Sequence, residues 1–248
     1  MYKHFMLVTQ PIANVQRIGW SKLVKHPSDL KEIYSVRKKL DELNIENKFS
    51  NHLVSLESED IEMVKDKDSF FEGIMFIDTA DNFIDLAETN GEPLEASDVA
   101  NYILSLKPMT HLKLQKILYI CYERFYRATD KLLYTNKIVA FEYGPVTKDV
   151  FRRYYRNRSV LTNDRNDDKV ILVQNGAISP TVAKVMLSEN GLSIMDIVRS
   201  VVSQYEDMDP WDLVNLTHEK GTAWDIAFNN IGRNAEITKD IMDDSIAI

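Results

Sequence analysis

Apolar residues recur at the spacing of one helix face through most of the second half of the chain. Over residues 111–126 they fall at i, i+3, i+4, i+7 and i+11, which predicts a helix with one side in the core. The residues of this stripe are Leu114, Ile117, Leu118, Cys121 and Phe125. Similar stripes predict further helices over residues 98–106, 194–205, 210–217 and 236–246.

The pattern in the first 93 residues is mixed. β-branched and aromatic residues over 2–10 predict a strand, which Pro11 ends. Helical spacing after Ser28 predicts a helix that reaches Leu43. Its apolar stripe consists of Leu30, Ile33, Tyr34, Val36, Leu40 and Leu43. Because short β-compatible runs follow at 52–56 and 73–77, we expect a small α+β domain.

A domain boundary is predicted at the segment Asn90-Gly-Glu-Pro93, where two helix breakers fall within four residues. We therefore expect an N-terminal domain over 1–93 and a second domain over 94–248. The whole chain of 248 residues has only eight glycines and seven prolines, which favours long regular elements, mostly helices. The predicted fold class is mainly α, with one or two short strands in a helical second domain that follows the small α+β domain.

The segment from Tyr143 to Val146 predicts a rigid corner. The preceding run, 138–143, fits either a short strand or an extended segment. Gly144 permits a positive φ, and Pro145 fixes its own φ, so the chain turns here without a hinge. Thr147 is then expected to cap a helix over 148–155.

The charge of the chain is unevenly distributed. The formal net charge is −8 and the pI is near 5.2, yet residues 107–158 contain twelve Lys and Arg against four Asp and Glu. A basic and aromatic patch is predicted near Tyr154 and Tyr155. Its arginines are Arg152, Arg153, Arg156 and Arg158. Such a patch is typical of a protein-binding or anion-binding surface, and nucleic acid is an alternative partner. The acidic pI and the absence of a recognisable DNA-binding motif argue against nucleic acid.

Catalytic and metal-binding patterns are missing from the sequence. Cys121 is the only cysteine, so an internal disulfide and a cysteine-based zinc site are excluded. No two of the five histidines have the spacing of a helical metal pair, and there is no phosphate-binding glycine loop. His218 fits a helix-end or inward hydrogen-bonding role better than a general base. We therefore expect no enzyme, no metal and no cofactor.

The hydropathy of the chain predicts a cytoplasmic protein. No window approaches the ~20 apolar residues of a membrane-spanning helix. The apolar run at the N-terminus is too short for a secretory signal. We therefore expect no membrane partner.

Four sequence blocks occur in a fixed order in the second half of the chain. They are Asp98-Val-Ala-Asn-Tyr-Ile-Leu104, Lys113-Leu-Gln-Lys-Ile-Leu-Tyr119, Ala140-Phe-Glu-Tyr-Gly-Pro-Val146, and Leu216-Thr-His218 followed by Trp224-Asp-Ile-Ala227. Together they resemble the SocA-like antitoxin family, also called the Panacea domain, over about residues 94–228. The resemblance implies a compact, mainly helical domain of bacterial and phage proteins.

The same resemblance indicates which residues carry the family signature. The candidate interaction or signature residues are Lys113, Lys116, Tyr119, Tyr143, Gly144, Pro145, His218 and Trp224. Gly144, Pro145 and Trp224 fit an architectural role, while Lys113, Lys116, Tyr143 and His218 are candidates for a shared pocket. From spacing alone, Lys113 and Lys116 also fit ordinary surface lysines.

The function implied by the resemblance is that of an antitoxin in a two-gene toxin–antitoxin pair. Such a protein neutralises a toxin encoded nearby by direct contact, and some members are thought to deliver the toxin to a protease. The N-terminal domain would recognise the particular partner. Two alternatives stay open: a phage or prophage counter-defence protein that binds a host factor, and an enzyme with an unrecognised site around His218 and Lys113.

Overall fold

A computed structural model describes residues 1–157, 159–163, 170–173 and 176–248. The chain forms two compact units. The first consists of Met1–Glu92 and Asp168–Gly191, and the second of Pro93–Asp167 and Leu192–Ile248. The strands are β1 (Tyr2–Thr9), β2 (Ile18–Val24), β3 (Phe49–Leu56), β4 (Met75–Ile77), β5 (Ile138–Phe141), β6 (Gly144–Thr147), β7 (Ile171–Val173) and β8 (Gly176–Ile178).

Helices are distributed over both units. They are α1 (Asp29–Glu42), α2 (Val64–Lys67), α3 (Ala80–Thr89), α4 (Ala96–Leu106), α5 (His111–Thr129), α6 (Lys148–Tyr154), α7 (Pro180–Met186), α8 (Gly191–Tyr205), α9 (Pro210–Thr217), α10 (Ala223–Asp225) and α11 (Lys239–Asp243), with a π-helical turn at Ile226–Ile231. No described helix is both long enough and apolar enough to cross a membrane.

The first unit is built on a six-stranded sheet in the order β3-β1-β2-β4-β7-β8. β1 pairs antiparallel with β2 and with β3, whereas β2 and β4 are parallel. Side chains alternate between the two faces of a strand, so Leu7 of β1 joins one core and Met6 and Val8 join another. The core around Leu7 also contains buried residues of α1 and α3.

Helix α1 buries a narrower stripe than its sequence predicts. Ile33, Val36 and Leu40 are buried, as expected. Leu30 and Tyr34, by contrast, are 54% and 72% exposed. The helix therefore contacts the sheet along one side only, and its outer apolar residues face solvent.

The predicted fold class of mainly α is wrong, because the chain contains a six-stranded sheet and a second sheet of two strands. The expected α+β character of the N-terminal region is confirmed. The sequence predicts a strand over residues 169–174, of which 170–173 are described and contain β7, but it does not predict β2, β6 or β8. β7 and β8 are also short. They have three residues each, too few to show an alternating pattern. They also join the sheet of the first unit through a pairing between Ile77 and Val173, which the local sequence does not indicate.

The second unit is organised around α5. Thr110 caps the start of this helix by accepting a hydrogen bond from the Lys113 backbone N–H, and Asp130 ends it in a left-handed conformation with φ 58°. Thirteen of its nineteen residues are buried, among them the polar residues Lys113, Gln115, Lys116 and Glu123. Among the described elements, α5 packs most extensively against α4, α6, α9 and the hairpin strand β6.

Candidate functional site

The predicted corner at Tyr143 is the turn of a hairpin. β5 and β6 pair antiparallel with Phe141 opposite Gly144, which leaves Glu142 and Tyr143 as the turn. Gly144 has φ +96°, a conformation that glycine adopts without strain. Thr147 lies at the N-terminus of α6, but its side chain does not cap the helix. Its hydroxyl instead hydrogen-bonds the Tyr134 hydroxyl at 3.0 Å.

Lys116 lies directly beneath this hairpin and is fully buried. Its Nζ donates a hydrogen bond to the Pro145 carbonyl oxygen at 3.0 Å. A Cβ placed on Gly144 would lie 2.6 Å from Lys116 Nζ and 2.8 Å from Thr217 Oγ1. Burial lowers the pKa of Lys116 to about 7, because the charged ammonium loses its hydration.

His218 and Trp224 form a stacked pair close to this lysine. Their rings stack in parallel, with centroids 3.5 Å apart and an interplanar angle of 3°. The Trp224 indole N–H donates to the Phe141 carbonyl at 2.8 Å, which connects the stack to β5. Burial, and then the charge of Lys116, lower the pKa of His218 to about 4 against the opposing effect of Asp225.

Lys113 and Tyr119 do not share this cluster's hydrogen bonds. Lys113 Nζ donates to the carbonyls of Glu206 and Met208, both at 2.6 Å, just beyond the end of α8. Tyr119 is buried, and its hydroxyl has no hydrogen-bond partner in the described part of the chain. Burial, and then the charge of Glu123, raise the Tyr119 pKa. Neither lysine is a surface residue, since Lys113 is also buried.

Two aromatic side chains are exposed at the rim of the corner. Tyr143, in the hairpin turn, is 54% exposed, and Trp211, in the first turn of α9, is 55% exposed. Their rings meet edge to face with centroids 5.5 Å apart. Sequence reasoning selected Tyr143 but missed Trp211, whose only local signal was its position after an N-terminal proline.

The predicted basic patch lies on and after α6. Arg152, Arg153 and Arg156 are exposed, and Arg158 lies outside the described residues. Arg152 is 3.6 Å from the Asp149 carboxylate. The guanidinium of Arg156 lies 5.3 Å from the Tyr155 ring centroid, which is a cation–π distance. The described part of the patch is therefore positively charged and partly aromatic.

Gln115 is a functional candidate that the sequence reasoning overlooked, although it lies inside the Lys113–Lys116 block. It is buried, and its Oε1 accepts the Thr147 backbone N–H at 2.9 Å. Lys116 and Gln115 thus hold successive parts of β6. Among the residues that the structure describes, no three His, Cys, Asp or Glu side chains are grouped to hold a metal ion.

Residues 114–225 match the sequence model of the family described as "Antitoxin SocA-like, Panacea domain". The resemblance seen in the four sequence blocks is thereby confirmed. The matched range contains Lys116, the hairpin corner, His218 and Trp224. Comparison with curated proteins and with solved structures gives no match.

The first prediction concerns the space above Lys116. Gly144→Ala should destabilise the protein by about 1–3 kcal/mol, because it combines a positive φ with a clash against buried side chains. Gly73→Ala is the matched control, since Gly73 has φ +69° but no atom within 4 Å of an added Cβ. Chemical denaturation should show a larger loss for Gly144→Ala. Equal losses would mean that contact with Lys116 and Thr217 costs nothing.

The second prediction concerns the pH dependence of stability. The folded pKa of Lys116 is about 7, whereas an unfolded lysine has a pKa of about 10.4. Between these values the unfolded chain binds the proton that the folded chain has released. The free energy of unfolding therefore rises with pH across this window, by up to about 1.4 kcal/mol per pH unit.

Lys116→Met should remove this rise, while Lys220→Met, at an exposed position, should retain it. Denaturation curves at pH 7, 8, 9 and 10 measure the difference between each variant and the wild type. Parallel profiles for wild type and Lys116→Met would show that the folded lysine keeps its proton.

Proposed function

We propose that this protein, whose residues 114–225 carry an antitoxin SocA-like Panacea domain, neutralises a protein toxin by binding it directly in the cytoplasm. The toxin is expected to be encoded by a neighbouring gene. The proposed role is a binding role and requires no cofactor or catalytic group. The family supports the antitoxin role, and the chemistry of the hairpin corner supports binding through protein contact.

The observation that carries the proposal is the exposed pair Tyr143 and Trp211. Each is more than half exposed, although a large aromatic side chain gains most from burial. Tyrosine and tryptophan are enriched among the residues that contribute most to protein–protein binding, and these residues cluster at interface centres. A contacting pair on a monomer surface is therefore a suitable anchor for a partner.

The buried cluster beneath the pair would hold it ready for binding. Gly144, immediately after Tyr143, is packed against Lys116 and Thr217. Trp224 donates to Phe141 on the other side of the turn. Because both ends of the turn are fixed by buried groups, little backbone freedom remains to be lost on association. In this proposal the buried signature residues have an architectural role, and recognition belongs to the exposed rim, which includes the signature residue Tyr143.

The arginines of α6 would supply the electrostatic part of recognition. Phe141 of β5 packs against Phe151 of α6 at a centroid distance of 5.3 Å, so the hairpin and the arginine-bearing helix are in contact. Exposed cations change association rates more than they change affinity. We therefore propose that the toxin presents an acidic surface next to an apolar pocket.

Protease delivery and host-factor binding differ from simple blocking in measurable ways. Delivery shortens the lifetime of the toxin when the two proteins are co-expressed, whereas blocking leaves it unchanged. A counter-defence protein would instead retain a host protein in the absence of any toxic neighbour. The chemistry of the exposed rim suits direct blocking, so we propose blocking as the primary route.

The third prediction tests the aromatic anchor. Tyr143→Ala and Trp211→Ala should each weaken binding to the neighbouring gene's product by roughly tenfold or more, since each removes a central aromatic contact. Leu132→Ala is the control, because Leu132 is a 47% exposed apolar residue of the same unit. Calorimetry measures the affinity, and co-expression measures protection of growth. Full protection and unchanged affinity in both aromatic variants would contradict the anchor.

The fourth prediction tests the charge of the patch. The double variant Arg152→Glu and Arg153→Glu should slow association with the toxin and reduce its dependence on salt, because surface charges steer encounter. Arg233→Glu, at another exposed position of the second unit, should behave like the wild type. Stopped-flow association at 50 and 500 mM salt provides the measurement. A salt-independent association rate in the wild type would exclude this patch from recognition.

A further inference from the structure

The edge strand β3 of the first unit has an open side. In the described part of the chain β3 pairs only with β1, because it stands at the end of the sheet order. At one end of the strand, the Phe49 N–H is already bonded to the Glu46 carbonyl. At the other end, the Ser55 carbonyl accepts a bond from Lys67 Nζ. These groups point away from β1.

Asn51 and Leu53 lie between Phe49 and Ser55 at alternate positions. In an antiparallel pair, alternate residues direct both backbone groups to the same side. The N–H and C=O groups of Asn51 and Leu53 therefore also point away from β1. None of them has a hydrogen bond to a described residue. Four backbone groups are thus available at the centre of this edge.

The sequence of β3 lacks the usual protection against strand addition. Proteins normally protect long edge strands with charges, prolines, bulges or short length. β3 has eight residues, Phe-Ser-Asn-His-Leu-Val-Ser-Leu, with no proline and no Asp, Glu, Lys or Arg. Leu53, in its centre, is 67% exposed. The sheet's other edge, β8, has only three residues, so the unprotected edge is specific to β3.

A cavity of about 230 Å³ lies beside this edge. Leu7, Leu40 and Phe49 supply the apolar part of its lining, and Asn51 lines it from β3. Three charged residues, Arg37, Asp41 and Glu46, complete the lining. Asn51 and Leu7 are directly opposite each other in the sheet. A strand added next to β3 would place a third residue in line with Leu7 and Asn51. That residue would lie over the cavity.

We propose that a second copy of this chain pairs with β3 through its own β3, in antiparallel orientation about a two-fold axis at His52. In this register Asn51 of each copy faces Leu53 of the other copy. Paired residues share one face of the sheet, so Leu53 of the second copy covers the cavity beside Asn51. In this arrangement the exposed leucine meets the apolar residues Leu7, Leu40 and Phe49 of the cavity, beside the charged residues Arg37, Asp41 and Glu46.

The hydrogen bonds and charges at the edge fit the same register. Asn51 and Leu53 exchange both backbone bonds across the axis, which satisfies all four open groups on each copy. Ser55 then faces Phe49 of the second copy. The N–H of that Phe49 is already bonded to the Glu46 carbonyl of its own chain. Lys67, beside Ser55, approaches the turn Glu46–Lys48 of the second copy, which carries one acidic and one basic residue. Because β3 itself has no charged side chain, no like charges oppose each other within the strand pair.

The test uses the full chain and needs no toxin, so its failure would leave the proposed antitoxin function untouched. Sedimentation equilibrium at 5–100 µM, about the range in which modest interfaces saturate, should give twice the chain mass of 28.7 kDa. Leu53→Lys should give the monomer mass with an unchanged circular dichroism spectrum, since Leu53 is exposed. A monomeric wild type across this range would overturn the proposal.

Cysteine crosslinking tests the register. His52→Cys should form an intermolecular disulfide under mild oxidation, because residues on the axis face each other with Cα atoms about 4.5 Å apart. Ser50→Cys places its thiol on the same face of the strand, but Ser50 of the second copy lies four residues further along the paired strand. These two thiols should therefore not crosslink. A dimer that crosslinks through Ser50→Cys, or one that Leu53→Lys leaves intact, would refute pairing through this register. If the wild type is monomeric and Leu53→Lys abolishes toxin binding, the edge receives a toxin strand instead of a second copy.

Discussion

Burial of Lys116 beneath the Gly144–Pro145 corner is the constraint on which the second unit depends. An ammonium group removed from water without a carboxylate partner is costly. The chain limits this cost by offering a carbonyl acceptor and by lowering the lysine pKa to about 7. The space occupied by the amine leaves no room for a Cβ at position 144. The hairpin must therefore turn through a glycine, and this places Tyr143 outside.

Three polar residues on the buried face of α5 hydrogen-bond to backbone groups of other parts of the second unit. Lys113 binds the carbonyls beyond the end of α8, Gln115 binds the backbone of Thr147, and Lys116 binds Pro145. The Gln115 and Lys116 bonds satisfy buried backbone groups that would otherwise be costly, whereas the Lys113 bonds are partly buried. Together they fix the position of the hairpin relative to the helices. These bonds give the block Lys113–Lys116 an architectural role, and we propose that recognition lies with its exposed neighbours.

The range of the family match and the division of the structure do not coincide. The match runs continuously over residues 114–225, but the segment that contains β7, β8 and α7 folds with the first unit. This segment extends the six-stranded sheet beyond β4. The first unit thus uses residues from within the matched range to complete its sheet. A truncation at the predicted boundary of residue 93 would remove those strands from it.

The sequence by itself determined the helices with long apolar stripes, the helical core of the second unit and the corner at Tyr143. These features depend on periodicity and on the backbone preferences of glycine and proline, which are local. It also indicated the resemblance to the SocA-like Panacea family, because four ordered blocks together are specific, and the family model matches residues 114–225.

Only the tertiary structure decided the fold class, the burial of both lysines and the partnership of Tyr143 with Trp211. The reason is that each of these features joins residues far apart in the chain. β7 pairs with β4, Lys113 binds carbonyls near residue 207, and Trp211 meets a hairpin turn. A lysine on a helix has the same local sequence signal whether its amine meets water or a distant carbonyl. Three-residue strands likewise acquire their identity from the strand beside them, since hydrogen bonds across a sheet are non-local.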